Sequence, residues 1–229
     1  AYSETDLAGR FTFIFDQKNR KVAETYTNMA GTVVYGRTAE KGEQWVLADV
    51  IGRLAKSWDN NLREYRATYD KLHRPVSAFV KEGTAEYLFN HILYGDYFFG
   101  SAEAVRLNLK GRAFRIYDQA GSIAIGQVDF KGNVLKIERR LTKDYKARIT
   151  DWQILGSMDE LTALDNAVDP LLETEIFARG GKVDALNRPT EVTTPDGTVF
   201  QPAYSEASFL ESLKGRAAGT ARRAAQARV

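Results

Sequence analysis

The chain has no cysteine, two histidines, two methionines and five prolines in 229 residues. Without cysteine there can be no disulfide and no thiolate zinc site, while the compartment stays open because many exported proteins also dispense with thiols. Two histidines leave little material for nucleophile–base pairs. No apolar run approaches the roughly 20 residues that a membrane-spanning helix needs. The first ten residues, AYSETDLAGR, carry neither a basic n-region nor an apolar h-region, so no signal peptide is visible. The chain also starts without Met, and reads as a piece of something longer. Net charge is nearly absent. The total is +2, and residues 214–229 hold five positive charges and no acid, which leaves −3 on the rest. A body with that balance presents no basic face to nucleic acid.

What is abundant is aromatic: 11 Tyr, 12 Phe and 3 Trp, residues that suit a half-buried pleated surface. They fall beside a repeat, Asp-x-x-Gly/Asn/His-Arg. Strict copies join Asp6 with Arg10 (DLAGR), Asp16 with Arg20 (DQKNR), Asp49 with Arg53 (DVIGR), Asp70 with Arg74 (DKLHR) and Asp184 with Arg188 (DALNR). Looser copies begin at Asp59 (DNNLR), Asp118 (DQAGS) and Asp129 (DFKGN). Each copy has turn chemistry. The Asp carboxylate can accept backbone N–H groups two residues on, and Gly, Asn or His at the fourth position tolerates positive φ. An aromatic often stands just before the Asp, as at Phe15, Trp58, Tyr69 and Tyr117. Turn plus strand takes about ten residues, so the pattern predicts short antiparallel strands such as FTFIF at 11–15 and LAKSW at 54–58.

Longer hairpins are expected at 20–37 around Asn28 and Gly31, and at 189–204 around Pro195-Asp196-Gly197. The apolar stretch 85–100 is broken at Gly95-Asp96. Two segments depart from strand: Ser101 is placed to N-cap a short helix, and 151–178 reads as a partly helical insertion interrupted at Asp169-Pro170. Residues 1–212 form the β region. Residues 213–229, rich in Ala and Arg with almost no apolar face, are expected to be a disordered tail.

The Asp-x-x-Gly-Arg turn with a preceding aromatic resembles the YD repeat of RHS proteins. Three longer blocks, YDKLHRPVSAFVKE (69–82), 116–152 and 183–211, make the chain similar to the RHS-repeat region of insecticidal toxin complex B/C-type proteins, over residues 1–212. The resemblance implies an all-β fold, with YD-repeat antiparallel strands in a curved, spiralling sheet and minor short helices. It implies a wall segment of a hollow shell that encapsulates a polypeptide toxin cargo within a secreted or cell-surface system. The implied partners are the rest of that shell, its C-terminal cargo and a pore-forming translocation component, with no nucleic acid and no membrane insertion by this segment. The chain departs from a complete member: the family's self-cleaving Asp-Pro-x-Gly motif is not matched, because Leu171-Leu172 follow Asp169-Pro170.

No catalytic residue, cofactor or metal site is assigned, and no enzyme activity is expected. His73 occupies the turn position that Gly or Asn fills in other copies, and His91 lies in the apolar YLFNHILY stretch as a core or interface histidine. A glycosidase carboxylate pair is set aside because the Asp residues recur at turn positions. The Asp spacing lacks the density of a calcium loop. The turn Arg is expected to pair with the Asp of a neighbouring copy as a stripe of alternating charge, each exposed pair contributing about 0–1 kcal/mol. The alternative function is a surface-exposed carbohydrate- or protein-binding β module. An isolated strip of such a sheet is expected to oligomerise through its open edges. Which face carries the rings of Trp58, Tyr65 and Phe79 is left open.

Overall fold

The computed structural model describes residues 1–156, 158, 160–218 and the strand at 225–228. The chain falls into two compact units, Ala1–Asn90 and His91–Val229. The first is an antiparallel meander in chain order. Its strands are β1 (Tyr2–Thr5), β2 (Phe11–Phe15), β3 (Lys21–Thr27), β4 (Val33–Thr38), β5 (Gly42–Ala48), β6 (Leu54–Asp59), β7 (Arg63–Tyr69) and β8 (Pro75–Glu82). Each pairs with the next through β8. The strand β9 (Ala85–Tyr94) runs from this unit into the second.

The meander is a single layer of sheet. Among the described residues of this unit, only Glu24, Ser57, Val80 and Leu88 are fully buried. Register pairs carry one row of side chains across six strands: Phe11 faces Tyr26, Tyr26 faces Tyr35, Tyr35 faces Trp45, Trp45 faces Trp58, and Trp58 faces Glu64. Residues facing each other across a ladder lie on the same side of the sheet, so this row marks one face.

The second unit is built differently. The end of β9 pairs with β10 (Ala113–Asp118) after two short helices, α1 (Gly95–Phe98) and α2 (Ser101–Arg106). The meander continues through β11 (Gly121–Val128) and β12 (Val134–Leu141). After the helix α3 (Leu161–Val168) come β13 (Phe177–Val183), β14 (Pro189–Thr193), β15 (Val199–Tyr204), β16 (Leu210–Arg216) and β17 (Ala225–Arg228). Here the sheet has a second layer. Trp152, Leu155, Leu164, Val168 and Leu172 are buried, as are Phe114 and Tyr117 of β10. The Trp152 ring packs 5.2 Å from that of Tyr117, and its Nε1–H donates to the Asp118 carbonyl at 3.0 Å.

The all-β antiparallel fold with minor short helices is the expected one, and α3 ends at Val168, just before Asp169-Pro170. Three boundaries are corrected. The N-cap of α2 is Gly100, and Ser101 is its first helical residue. The division at 212 falls inside β16, whose ladder with β15 extends to Arg216 opposite Val199. Of the tail expected to be disordered, Ala225–Arg228 form a strand paired with β16; residues 219–224 and 229 lie outside the described residues.

Candidate functional site

The recurrent structure of this chain is the turn. At Asp49 the backbone closes on itself twice: Gly52 N–H donates to the Asp49 carbonyl at 3.0 Å, and Asp49 N–H to the Arg53 carbonyl at 2.8 Å. The carboxylate then fills the concave side. Its Oδ1 accepts the N–H groups of Ile51 (3.0 Å) and Arg53 (2.9 Å), and its Oδ2 accepts Nε and Nη2 of the Arg53 guanidinium at 2.8 and 2.5 Å. Gly52 sits at φ 84°, the left-handed conformation that this loop demands.

The same bonds recur at Asp16 with Arg20, Asp70 with Arg74 and Asp184 with Arg188, where Nε–Oδ2 distances are 2.8, 2.7 and 2.7 Å. Asn19, His73 and Asn187 take the left-handed position there. At Asp6 the carboxylate accepts the N–H groups of Arg10 and Phe11. At Asp129, Asn133 substitutes for Arg and closes the loop through its side-chain amide at 2.8 Å.

In the copies at Asp16, Asp49, Asp70 and Asp184 the Arg side chain therefore binds the Asp of its own copy, while Asp6 is held by backbone N–H groups alone, and the expected stripe between neighbouring copies is overturned. The reason is geometric: the turn folds the two ends of a five-residue unit to hydrogen-bond distance, so the Asp of the same copy is within reach of the guanidinium. Two loose copies differ. Arg63 places Nε on Glu82 at 2.7 Å and leaves Asp59 at 3.9 Å, although Asp59 still caps the N–H groups of Asn61 and Arg63. At Asp118 the loop is a tighter two-residue hairpin in which Asp118 faces Gly121, and the carboxylate receives Arg139 from β12.

The structure also supplies a role for the aromatic before the Asp. The Arg53 guanidinium lies 4.3 Å from the centre of the Tyr69 ring and donates through Nη1 to the His73 carbonyl at 2.9 Å. Arg188 repeats this over Tyr204 at 4.6 Å, with Nη1 on Ser208 Oγ at 3.1 Å. An Arg thus locks its own turn and clasps the next turn on the same rim, using the ring ahead of that turn as a platform. Cation–π stacking of this kind needs a flat guanidinium. Sequence reading missed it; the regular offset of 16 residues from Arg to Tyr in both cases was the available signal.

Depressed carboxylate pKa values follow from these bonds. The Arg20 N–H, then the Arg20 side chain, hold Asp16 below the usual carboxylate value. The Arg53 N–H does the same for Asp49. At Asp70 and Asp184 desolvation is the largest influence and pushes upward, but the Arg N–H and guanidinium bonds outweigh it.

The faces of the first unit differ in chemistry. Trp58 and Phe79 share the face of Glu64 and Lys81, while Tyr65 points to the opposite one. On the Trp58 face the Trp58 Nε1–H donates to Glu64 at 3.0 Å, Lys56 pairs with Glu64 at 2.7 Å, and Arg66 stacks 3.6 Å from the Phe79 ring centre. The buried Glu24 carboxylate collects Lys21 and the Tyr35 hydroxyl; the Lys21 bond leads in holding its pKa down, against desolvation.

In the second unit a cavity of about 270 Å³ lies between α3 and β10–β12, with Arg115, Tyr117, Ser122 and Asp165 in its wall. Arg115 is paired with Asp165, and Arg140 with Asp169. Among the described residues there is no group of three or more His, Cys, Asp or Glu arranged to hold a metal ion. His73 caps no carboxylate and sits in its turn, whereas His91 is buried opposite Tyr117.

No protein-family model matches the chain. A curated relative, toxin subunit YenC2 of Yersinia entomophaga, is 24% identical over 240 residues, covering 93% of this chain and 24% of the relative. The fold is shared with crystal structures of TcdB2–TccC3 with Cdc42 (TM-score 0.78, 17% identity, 97% of this chain) and of TcdB2–TccC3 (0.77, 16%, 99%). It is shared too with a Photorhabdus luminescens Tc holotoxin pore that carries a TccC3 mutation (0.77, 18%, 99%). The chain spans about a quarter of the curated relative and 10–11% of each of these solved chains.

Proposed function

We propose that this chain, similar in sequence and fold to the RHS-repeat region of toxin complex B/C-type proteins, is a wall segment of a shell that encapsulates a polypeptide cargo in a secreted toxin system. The observation that carries this reading is the combination of a whole-chain fold match with a first unit that is one layer of sheet. A single layer whose loops are clamped by Asp and Arg is a wall: it separates two spaces and needs no interior of its own. Its mechanism is physical exclusion, so the residues bear load through turns and register, and none is required to react. The partners in this reading are further stretches of the same wall, the cargo, and a translocation pore.

The experiment is protease protection of the secreted polypeptide that carries these residues. Cargo that resists protease until denaturant opens the wall supports the reading. Cargo cleaved as fast as the free peptide contradicts it.

A second reading, a surface module for carbohydrate, is favoured by the row of Tyr26, Tyr35 and Trp45, with adjacent ring centres 5.0 and 5.6 Å apart. Glycan-array binding that is lost in Trp45→Ala supports that module, and an array with no binding removes it.

A further inference from the structure

Between β12 and α3 the chain leaves the sheet, and residues 143–148 are exposed without a break. Lys143, Lys146 and Arg148 make this run basic, and Tyr145 within it is 78% exposed. Both ends of the run are fastened. At its start Thr142 bridges to Leu172, Lys143 N–H donates to the Leu171 carbonyl at 3.0 Å, and Lys143 Nζ donates to the Pro170 carbonyl at 2.9 Å. At its finish the Gln119 side chain pairs with the Thr150 backbone as a neighbouring strand would. Gln119 Oε1 accepts the Thr150 N–H and Nε2 donates to the Thr150 carbonyl, both at 2.9 Å. The fully buried Trp152 follows directly.

The span between these fastenings is held by longer bonds. Ala147 N–H is shared between the Asp144 carbonyl at 3.3 Å and Asp144 Oδ1 at 3.1 Å, the long end of the N–H···O range. An endoprotease takes its substrate as an extended segment, so a bond inside a tight turn or a ladder is out of reach until that backbone opens. Exposed loops that open easily are where such cuts concentrate.

Basic residues elsewhere are held differently. Arg53, Arg74 and Arg188 are tied to the Asp of their own turns. Lys71 lies in a turn closed twice, by Asp70 N–H on the Arg74 carbonyl and by His73 N–H on the Asp70 carbonyl. In the loop before β10, Arg112 N–H donates to the Leu109 carbonyl and Gly111 N–H to Asp96 Oδ1. Within the exposed run itself, Lys143 is engaged by Pro170 and Arg148 stands close to the Thr150 fastening. Lys146 is the basic residue set farthest from both.

We infer that the Lys146–Ala147 bond is a processing site for an endoprotease that cuts after basic residues. Water adds across the amide: the C–N bond breaks, Lys146 gains a carboxylate and Ala147 an ammonium. The products stay together, because β12 and β13 lie on opposite sides of the cut and remain paired from Lys136 opposite Gly180 to Arg139 opposite Phe177. The Trp152 ring against Tyr117 joins them a second time. Cleavage here divides the polypeptide without dividing the fold.

The test is limited digestion of the native chain with trypsin, read by intact-mass spectrometry. The first internal cut should yield residues 1–146 and 147–229, which co-elute in native gel filtration and separate in urea. Trimming beyond residue 213 changes only the mass of the second product. Lys146→Gln should slow the internal cut by roughly tenfold or more, with thermal unfolding unchanged because the side chain is exposed. Lys110→Gln is the control and should leave the rate as it is. Opening of the 144–147 turn is local, so the rate should stay flat in urea until global unfolding begins. First cuts at Arg53 or Arg74, or a Lys146→Gln chain divided as fast as the parent, overturn the inference. So does a rate that climbs with the unfolded fraction, or products that part in native buffer. None of these results touches cargo protection, so the wall reading stands or falls separately.

Discussion

At the scale of the residue, the fourth position of each turn sets a local cost. An L residue in the left-handed region is disfavoured by about 1–2 kcal/mol, and glycine regains part of this at the expense of chain entropy. His73 and Leu62 both occupy that region, at φ 63° and 61°. His73→Gly and Leu62→Gly should each raise stability, by up to about 1 kcal/mol in urea denaturation. Gly52→Val, at φ 84°, should lower it by about 1–2 kcal/mol or more. Arg53→Lys is expected to lower the melting temperature as far as Arg53→Ala nearly does, because an ammonium cannot hold Asp49 bidentately, stack on Tyr69 and reach the His73 carbonyl together. A Lys variant that melts with the parent would show the clasp to be unimportant.

Acid should act at the same residues in two stages. Burial lowers the His91 pKa from 6.5, so the folded state keeps a neutral imidazole while the unfolded chain binds a proton. Stability from His91 is then full above about pH 6.5 and declines as the pH falls below it. The turn carboxylates Asp16, Asp49, Asp70 and Asp184 titrate below their usual 3.8. Their contribution is complete above about pH 4 and is lost as the pH drops through the folded values. Urea midpoints at pH 7.5, 5.5 and 3 measure both stages, and His91→Gln should flatten the first while leaving the second. A midpoint independent of pH down to 3 would rule out the carboxylate clamp as a stabilising device.

At the scale of the element, what could be read in advance was what lies within five residues. The Asp, the left-handed position and the strand that follows are contiguous, so FTFIF and the Asn28 hairpin were legible. The partners of the Arg residues that reach outside their own unit were not. Arg63 chooses Glu82, 19 positions on, and Arg139 reaches back to Asp118, distances in sequence that only the register determines. The insertion at 151–178 was legible as partly helical, yet nothing in its mixed spacing showed that Trp152, Leu155 and Leu164 build the buried layer of the second unit. Leu164 of α3 is fully buried, so Leu164→Ala should cost about 2–5 kcal/mol through the cavity it leaves. Val46→Ala in the single-layer unit should cost clearly less, because that side chain is only half-buried. Equal losses in chemical denaturation would contradict the division into a one-layer and a two-layer unit.

At the scale of the whole molecule, one feature of the first unit gives the functional reading its weight: only Glu24, Ser57, Val80 and Leu88 among its described residues are buried, and the rest are divided about equally between half-buried and exposed. A sheet of this type is stable by pairing along the chain more than by an interior, which is the behaviour of repeat proteins whose units lean on their neighbours. Which face carries Trp58, Tyr65 and Phe79 was beyond the sequence, because a one-residue change of register exchanges the faces. The structure separates Trp58 and Phe79 from Tyr65, so the two faces can be told apart by substitution. The proposed wall role is best tested by electron cryomicroscopy of the native assembly purified through this chain. The account predicts residues 1–216 as part of a continuous wall with unstructured cargo density against one face only. Density showing this segment as a free-standing module, with solvent on both faces and no enclosed chain, would contradict it.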